Sequence, residues 1–592
     1  MMKVVVLVVL SLGSLIQGDR IVSTRNGKVK GFTDNVYGTN VETFLGIPYA
    51  EPPTGNTRFA PTVAKGNWTN TLDANKYSAA CPQKPNTVWL NEHLPGFSNF
   101  NEDCLYLNVF TPANKWNGPL MGVLVYIHGG SWFEGTSEMY NAGGLARKGV
   151  VVVTINYRIG ALGWMTTEES DYPGNMGMLD QQMALRWVQN NIALFWGDPT
   201  KVTLNGHSVG GASTQYHMMM PASKGLFNNV ISSDGVASFS WQNDAPGDQR
   251  RYMIALATTL NCSTTSNQVI VDCLRTKDAQ TIATISIQGV PSDLSPWRPV
   301  VDGTILPKPT TELWTSGDIR KVNHMITSER NIASDQIGRI PGVENGISEA
   351  TFRAIMMGYG EMFFPKDKVP AIIEMAIFHY NNWQEPKTPA TFRTMLRDIL
   401  GDFLTTMSNT RVRRTYQGRI NNTAANLYSV YYGYRTENSP YPAWWGTQHS
   451  ASTFYIFGDP YNNSVIYQPS NKPSPVTITF TQRDKTMCDK VQALWVNFIN
   501  TGNPTINSIG GVTLPGFGSQ ENYLDIDETG NMAAKMKWRN KYFEFFNSHL
   551  PNMFKFINAP TTCPVAPTPT SSAASTLSSI ILTVSALLAY TA

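Results

Sequence analysis

The stretch Val202-Thr-Leu-Asn-Gly-His-Ser208-Val-Gly-Gly-Ala-Ser213 decides how this chain is read. Val202–Leu204 is apolar and partly β-branched, as a buried strand should be. From Gly211-Ala-Ser213 through Met220 the chain can continue as a helix. Between them Gly206-His-Ser208-Val-Gly210 spells Gly-x-Ser-x-Gly. With 47 Gly in 592 residues, chance supplies roughly 0.3 such matches per chain, and an ordinary glycine-rich β–α turn writes the same letters. The setting says more. A strand that turns sharply into a helix around an exposed serine needs glycines, because bulkier side chains collide there. The helix start then offers backbone N–H groups and a positive dipole end to developing negative charge.

Working outward, Leu124–Ile127 and Val150–Ile155 are further apolar strand-like runs. Gly177–Ile192 carries Met178, Leu179, Met183, Leu185, Trp187 and Val188 at spacings that fit a helix packed on a sheet. Alternating strands and helices predict an α/β fold, a mostly parallel central sheet flanked by helices in one large domain. Chemistry in such folds gathers at the carboxyl ends of the strands. His128-Gly-Gly130 follows Leu124–Ile127, and glycines there let backbone N–H groups approach an oxyanion. Gly129, Gly130 and the N–H of Val209 are the candidate oxyanion donors. Two such motifs at strand ends, in the order α/β-hydrolases use, point to acyl transfer through Ser208.

Composition excludes other classes. The 46 basic and 43 acidic residues leave a formal charge of +3, with no concentrated basic face for nucleic acid. No metal cluster or dinucleotide loop is legible, so no cofactor is implied. Residues 1–18 read as a signal peptide, with Lys3, the apolar run Val4–Leu10 and Gly18 at the cleavage point. Asn67, Asn261, Asn421 and Asn462 each open an N-glycosylation sequon. In the oxidising compartment this implies, the 6 Cys are expected to pair, and Cys81 with Cys104 and Cys262 with Cys273 are sequential pairs that can close local loops. Cys488 reads as a buried thiol in a helix, and Cys563 has no assigned partner. Residues 559–579 form a Pro/Thr/Ser-rich stalk with small residues at 571–573, followed by an apolar tail over 580–592. That order is expected of a GPI-attachment signal, with a short transmembrane segment as the alternative. The expected location is extracellular, secreted or anchored at the cell surface, with residues 19–558 as the folded domain.

The segment Phe44-Leu-Gly-Ile-Pro-Tyr-Ala-Glu-Pro-Pro53 resembles the N-terminal signature of type-B carboxylesterases and cholinesterases, and Glu102-Asp-Cys-Leu-Tyr-Leu-Asn-Val109 resembles their second. Asn156-Tyr-Arg158, Asn175-Met-Gly177, Pro299-Val-Val-Asp-Gly303 and Pro442-Ala-Trp-Trp-Gly-Thr-Gln-His449 fit as well. The likeness covers nearly all of residues 20–550. It implies an α/β-hydrolase in which His449 is the general base of Ser208, and it supports the pairs Cys81–Cys104 and Cys262–Cys273. The family's third disulfide falls on Met407 and Phe543, and dimerisation through helices near the C-terminus is a family habit. The implied partner is a small-molecule ester.

One element of the pattern is broken. The family's triad acid aligns with Ile332, whose alkyl group cannot accept a hydrogen bond from histidine. Loss of the acid in related triads costs about four orders of magnitude in turnover, roughly 5–6 kcal/mol of barrier. Asp234, which follows the strand-like Asn229–Ser232, is the candidate relocated acid; a residue that merely caps or kinks a turn is the plain alternative. Asp335 and Glu329 flank the lost position but need a local shift. Otherwise the chain is a slow Ser–His esterase, or a catalytically impaired protein that binds an extracellular protein partner in adhesion.

Acetylcholine is not the expected substrate. The stretch Pro95–Glu102 is short where cholinesterases carry the tryptophan that stacks a quaternary ammonium, and Trp89 lies outside it. His207 stands where the family has a Glu beside the nucleophile. Trp132 and Trp241 are the expected wall of an apolar acyl or aryl pocket.

Overall fold

The computed structural model describes residues 20–557 apart from 114–117, 238–247, 288–295, 318, 468 and 470–473. The expected signal peptide over 1–18, Trp241, and the expected stalk and tail with Cys563 over 559–592 lie outside the described residues. No helix among the described residues is long and apolar enough to cross a membrane.

Seven parallel strands form the centre: β1 (Met121–Ile127), β2 (Val151–Ile155), β3 (Gly197–His207), β4 (Asn229–Ser233), β5 (Asn323–Glu329), β6 (Leu427–Tyr432) and β7 (Asn522–Ile526). They lie in the order β2-β1-β3-β4-β5-β6-β7. Antiparallel strands extend the sheet beyond β2 and beyond β7. The expected α/β-hydrolase architecture is therefore present, and the order reverses at β1, between β2 and β3, where such sheets open a crevice for ligands.

Period-two alternation explains the layering. Val123, Val125 and Ile127 of β1 enter one core with Met178, Leu185 and Val188 of the helix Met176–Asn191. Leu124 and Tyr126 enter the other, with Val491, Leu494, Trp495 and Phe498 of the helix Gln482–Thr501. Both faces are covered, so β1, β2 and β4 are buried along their whole length. Each fully buried Val, Leu or Ile contributes about 1.5–3 kcal/mol. Helices inserted between β5 and β6 build a separate apolar cluster around Phe352, Ile372, Leu396 and Ile399. Disulfides join Cys81 to Cys104 and Cys262 to Cys273, and Cys488 is a buried free thiol.

Candidate active site

Ser208 leaves β3 at φ 58°, ψ −129°, a strained backbone for a residue with a side chain. Two bonds hold it there. Its N–H donates to the Ser233 carbonyl of β4 at 2.8 Å, and its carbonyl accepts from Ala212 N–H at 3.1 Å in the helix Val209–Met219. The flanking glycines are required by space. A Cβ on Gly206 would lie 2.2 Å from the Gly210 carbonyl atoms, and one on Gly210 would lie 2.2 Å from the Ile127 carbonyl oxygen.

After β1 the chain bends through three consecutive positive φ values, at Gly130, Ser131 and Trp132. Gly130 and Ser131 line the same cavity as Ser208, with Val209 next to the nucleophile at the first turn of its helix. Gly129 sits against the elbow itself, where a Cβ would come 3.0 Å from the Ser208 Cβ. Ser131 was not expected on this wall. Its left-handed backbone leaves no mark in the letters.

The structure brings Asp234 and His449 together. Asp234 directly follows β4 with φ 53°, donates its N–H to Thr327 O at 3.0 Å, and accepts Glu329 N–H on Oδ1 at 2.8 Å. Its Oδ2 lies 3.1 Å from His449 Nδ1. The carboxylate is thereby oriented by β5 backbone and aimed at the histidine. Asp234 is 3% exposed, while the His449 side chain retains 11% exposure and faces the cavity with Ser208.

The segment around Ile332, where the resemblance leads one to expect the acid, makes other contacts. Glu329 accepts both the N–H (3.1 Å) and the hydroxyl (2.6 Å) of Ser452. Asn331 donates its N–H to Thr447 O at 3.1 Å and accepts Thr447 N–H on its side chain at 3.2 Å, and Ser334 donates to Trp445 O at 2.5 Å. These bonds clamp both flanks of His449. Ile332 is buried beside Gly401. Asp335 lines the cavity and acts on His449 through its charge.

His207 lies beside this pair. It is wholly buried, stacked on the Trp89 ring at 5.7 Å between centroids and tilted against the His449 ring at 4.5 Å. Its Nε2 is 3.7 Å from Asp234 Oδ2, too long for a normal hydrogen bond but close enough to be felt electrostatically.

The cavity leaves about 20 Å³ for the centres of water molecules, room for one or two. Its aromatic wall is Trp89, Tyr441 and Tyr467, and Glu92, Glu134, Asp335 and Arg339 supply charge. The expectation for Trp132 is corrected. It is 1% exposed and packs edge-on to Trp164 in the core rather than lining the cavity with Ser208. Trp89, set aside on sequence, reaches the cavity on the short helix Val88–His93 within the Cys81–Cys104 loop.

Burial opposes every charge in this site, yet the pair is poised for proton transfer. Burial alone pushes the Asp234 carboxyl up, and the two imidazoles outweigh it and hold it below the usual carboxylate value. Burial alone pushes His449 down, and the Asp234 hydrogen bond and charge, with Asp335 and Glu92, raise it above 6.5. His207 falls to about 4, chiefly by burial and then by the His449 charge. Glu92 and Glu134 are each pushed up to about 7 by burial.

A serine on a strained elbow, glycine backbone beside it and a carboxylate-bonded histidine are the parts of acyl-transfer chemistry. Comparison with known proteins agrees with that chemistry. The model of the carboxylesterase family matches residues 18–546. Mouse (Mus musculus) cholinesterase is 30% identical over 555 residues, 91% of this chain and 88% of its own. Acetylcholinesterase of Bungarus fasciatus is 30% identical over 561 residues, 92% of this chain and 88% of its own. By its strand order and by this match along nearly its whole length, the chain belongs to the carboxylesterase family.

Proposed function

We propose that this protein is a serine carboxylic ester hydrolase whose triad is Ser208, His449 and a relocated acid, Asp234. The observation that carries the reading is the 3.1 Å contact between Asp234 Oδ2 and His449 Nδ1 at the cavity that holds Ser208. Ser208 Oγ attacks the ester carbonyl while His449 Nε2 takes its proton, and the same nitrogen returns it to the leaving alcohol. Asp234 keeps the Nδ1–H tautomer and stabilises the imidazolium. The backbone of Gly130 and Ser131, with Val209 N–H, faces the developing oxyanion. The small free volume favours short acyl groups.

The adhesion alternative drew its weight from the lost acid at Ile332 and from the expected anchor, and an acid in contact with His449 supports the enzyme against the first of these. The two disulfides, the leader and the four exposed sequon asparagines support an extracellular protein. The tail supports GPI attachment near residues 571–573.

Turnover of p-nitrophenyl acetate and butyrate by the purified protein, beside Ser208→Ala and Asp234→Asn, tests this reading. Turnover that collapses in both variants is the expected result. Serine-dependent turnover indifferent to Asp234→Asn leaves a Ser–His dyad, and a wild-type rate equal to that of Ser208→Ala refutes the esterase.

A further inference from the structure

His207 has no part in the acyl-transfer steps, yet it occupies the most protected position in the site. It is 0% exposed, and neither ring nitrogen makes a hydrogen bond among the described residues. A buried imidazole without a hydrogen bond points to a bound ion or ligand that completes it.

The surroundings specify which. His207 Nε2 is 3.7 Å and His449 Nδ1 is 3.1 Å from one oxygen, Asp234 Oδ2. One facing atom from each of the three residues lies within 4.8 Å of the others. Ligands placed tetrahedrally at zinc bond lengths stand about 3.3 Å apart, between those two values. Two imidazoles and one carboxylate are a donor set for zinc and its neighbours rather than for magnesium or calcium. Asp234 Oδ1 is already fixed by Glu329 N–H, and the Trp89 ring fixes the plane of His207. Such outer bonds orient metal ligands. Entry is through the cavity, past the partly exposed ring of His449.

We propose that His207, Asp234 and His449 bind a zinc-class divalent cation, with water in the fourth position, and that occupancy switches the esterase off. Binding uses the lone pair of His449 Nδ1, so the proton of the neutral ring moves from Nδ1 to Nε2 with no net loss. An Nε2 that carries hydrogen cannot take the proton of Ser208. The switch rests on the esterase reading above, whereas the ion site does not. The ligands come from positions 207, 234 and 449, which is why no metal motif is legible in the sequence.

Binding is therefore measured on the full chain carrying Ser208→Ala, with Co²⁺ as a spectroscopic probe. Expected is one equivalent of Co²⁺ with the intense visible absorption of a four-coordinate site, displaced by Zn²⁺. Adding His207→Gln or His449→Gln should weaken it at least tenfold. If His207→Gln fails to fold by circular dichroism, His449→Gln on the cavity wall carries the same comparison. Absence of stoichiometric Co²⁺ binding in Ser208→Ala, or undiminished affinity in the folded ligand variants, overturns the site. In the active protein, Zn²⁺ should inhibit ester turnover reversibly, with EDTA restoring it. If Ser208→Ala binds the ion but the wild type hydrolyses no ester, the ion site stands and the esterase reading falls.

Discussion

Asp234 and His449, 215 positions apart in the chain, meet at 3.1 Å because β4 and the loop after β6 converge at one end of the sheet. Asp234→Asn is expected to lower kcat by about 10⁴, because the amide favours the wrong imidazole tautomer. Glu329→Gln keeps an acceptor for Ser452 and should stay within about tenfold of wild type. Steady-state rates on p-nitrophenyl acetate decide. An equal loss in both variants would move the acid to Glu329.

The acid limb of kcat/KM should lie above pH 6.5. His449 must be neutral to take a proton, and its net raised value means that activity falls as pH drops through a point above that of free imidazole. In Asp234→Asn burial is less opposed, so the residual activity should persist to lower pH. A pH–rate profile of both proteins checks the direction.

Glu134→Gln should stabilise the protein in alkali and leave it little changed in acid. Glu134 titrates at about 7 when folded and near 4.5 when unfolded, so the native state holds the extra proton between those values. Stability falls as pH rises through that window, by about 3 kcal/mol in all. Denaturant midpoints at pH 4 and pH 8 measure it. A variant destabilised equally at both would show that Glu134 acts by packing.

Trp89→Ala should widen ester selectivity. Trp89 walls a cavity with room for one or two waters, and its ring also backs His207. The ratio of kcat/KM for butyrate over acetate should rise about tenfold. An unchanged ratio would place the limiting wall elsewhere, at Tyr441 or Tyr467.

Replacing Cys81 and Cys104 by serine should cost about 3 kcal/mol of stability, given a sequence separation of 23. The helix that bears Trp89 lies inside that loop, so butyrate selectivity should loosen as in Trp89→Ala. Thermal melts and the same ester ratio read both effects.

Apolar strands and the elbow were legible because burial on both faces writes long β-branched runs and a tight turn writes glycines. Val150–Ile155 and Gly177–Ile192 match Val151–Ile155 and Met176–Asn191 to within a residue. Only Val202–Leu204 of the eleven-residue β3 stood out, because its first half, Gly197–Lys201, is polar or proline and its end merges with the elbow. Asp234 was readable from chain order after the nucleophile. Its contact with His449 was not, since that depends on where a loop folds back 215 positions later. Trp89 was missed because a six-residue helix inside an irregular loop has too short a period to show. Trp132 was misplaced because a large aromatic beside a glycine loop serves a core as well as a pocket, and here it is buried in the core.

The proposed place of the acid, directly after β4 rather than beyond β5, also changes what the scaffold must guarantee. Nucleophile and acid now hang from neighbouring strands whose pairing runs up to His207 and Ser233. Their separation is set by a single ladder of hydrogen bonds, with no intervening strand to accumulate error. The loop bearing His449 is the long arm of the assembly, and Glu329 and Asn331 anchor it. Errors in alignment of the triad should therefore collect in one hinge, the segment between Tyr432 and His449, which makes that segment the place where laboratory evolution would most readily retune the rate.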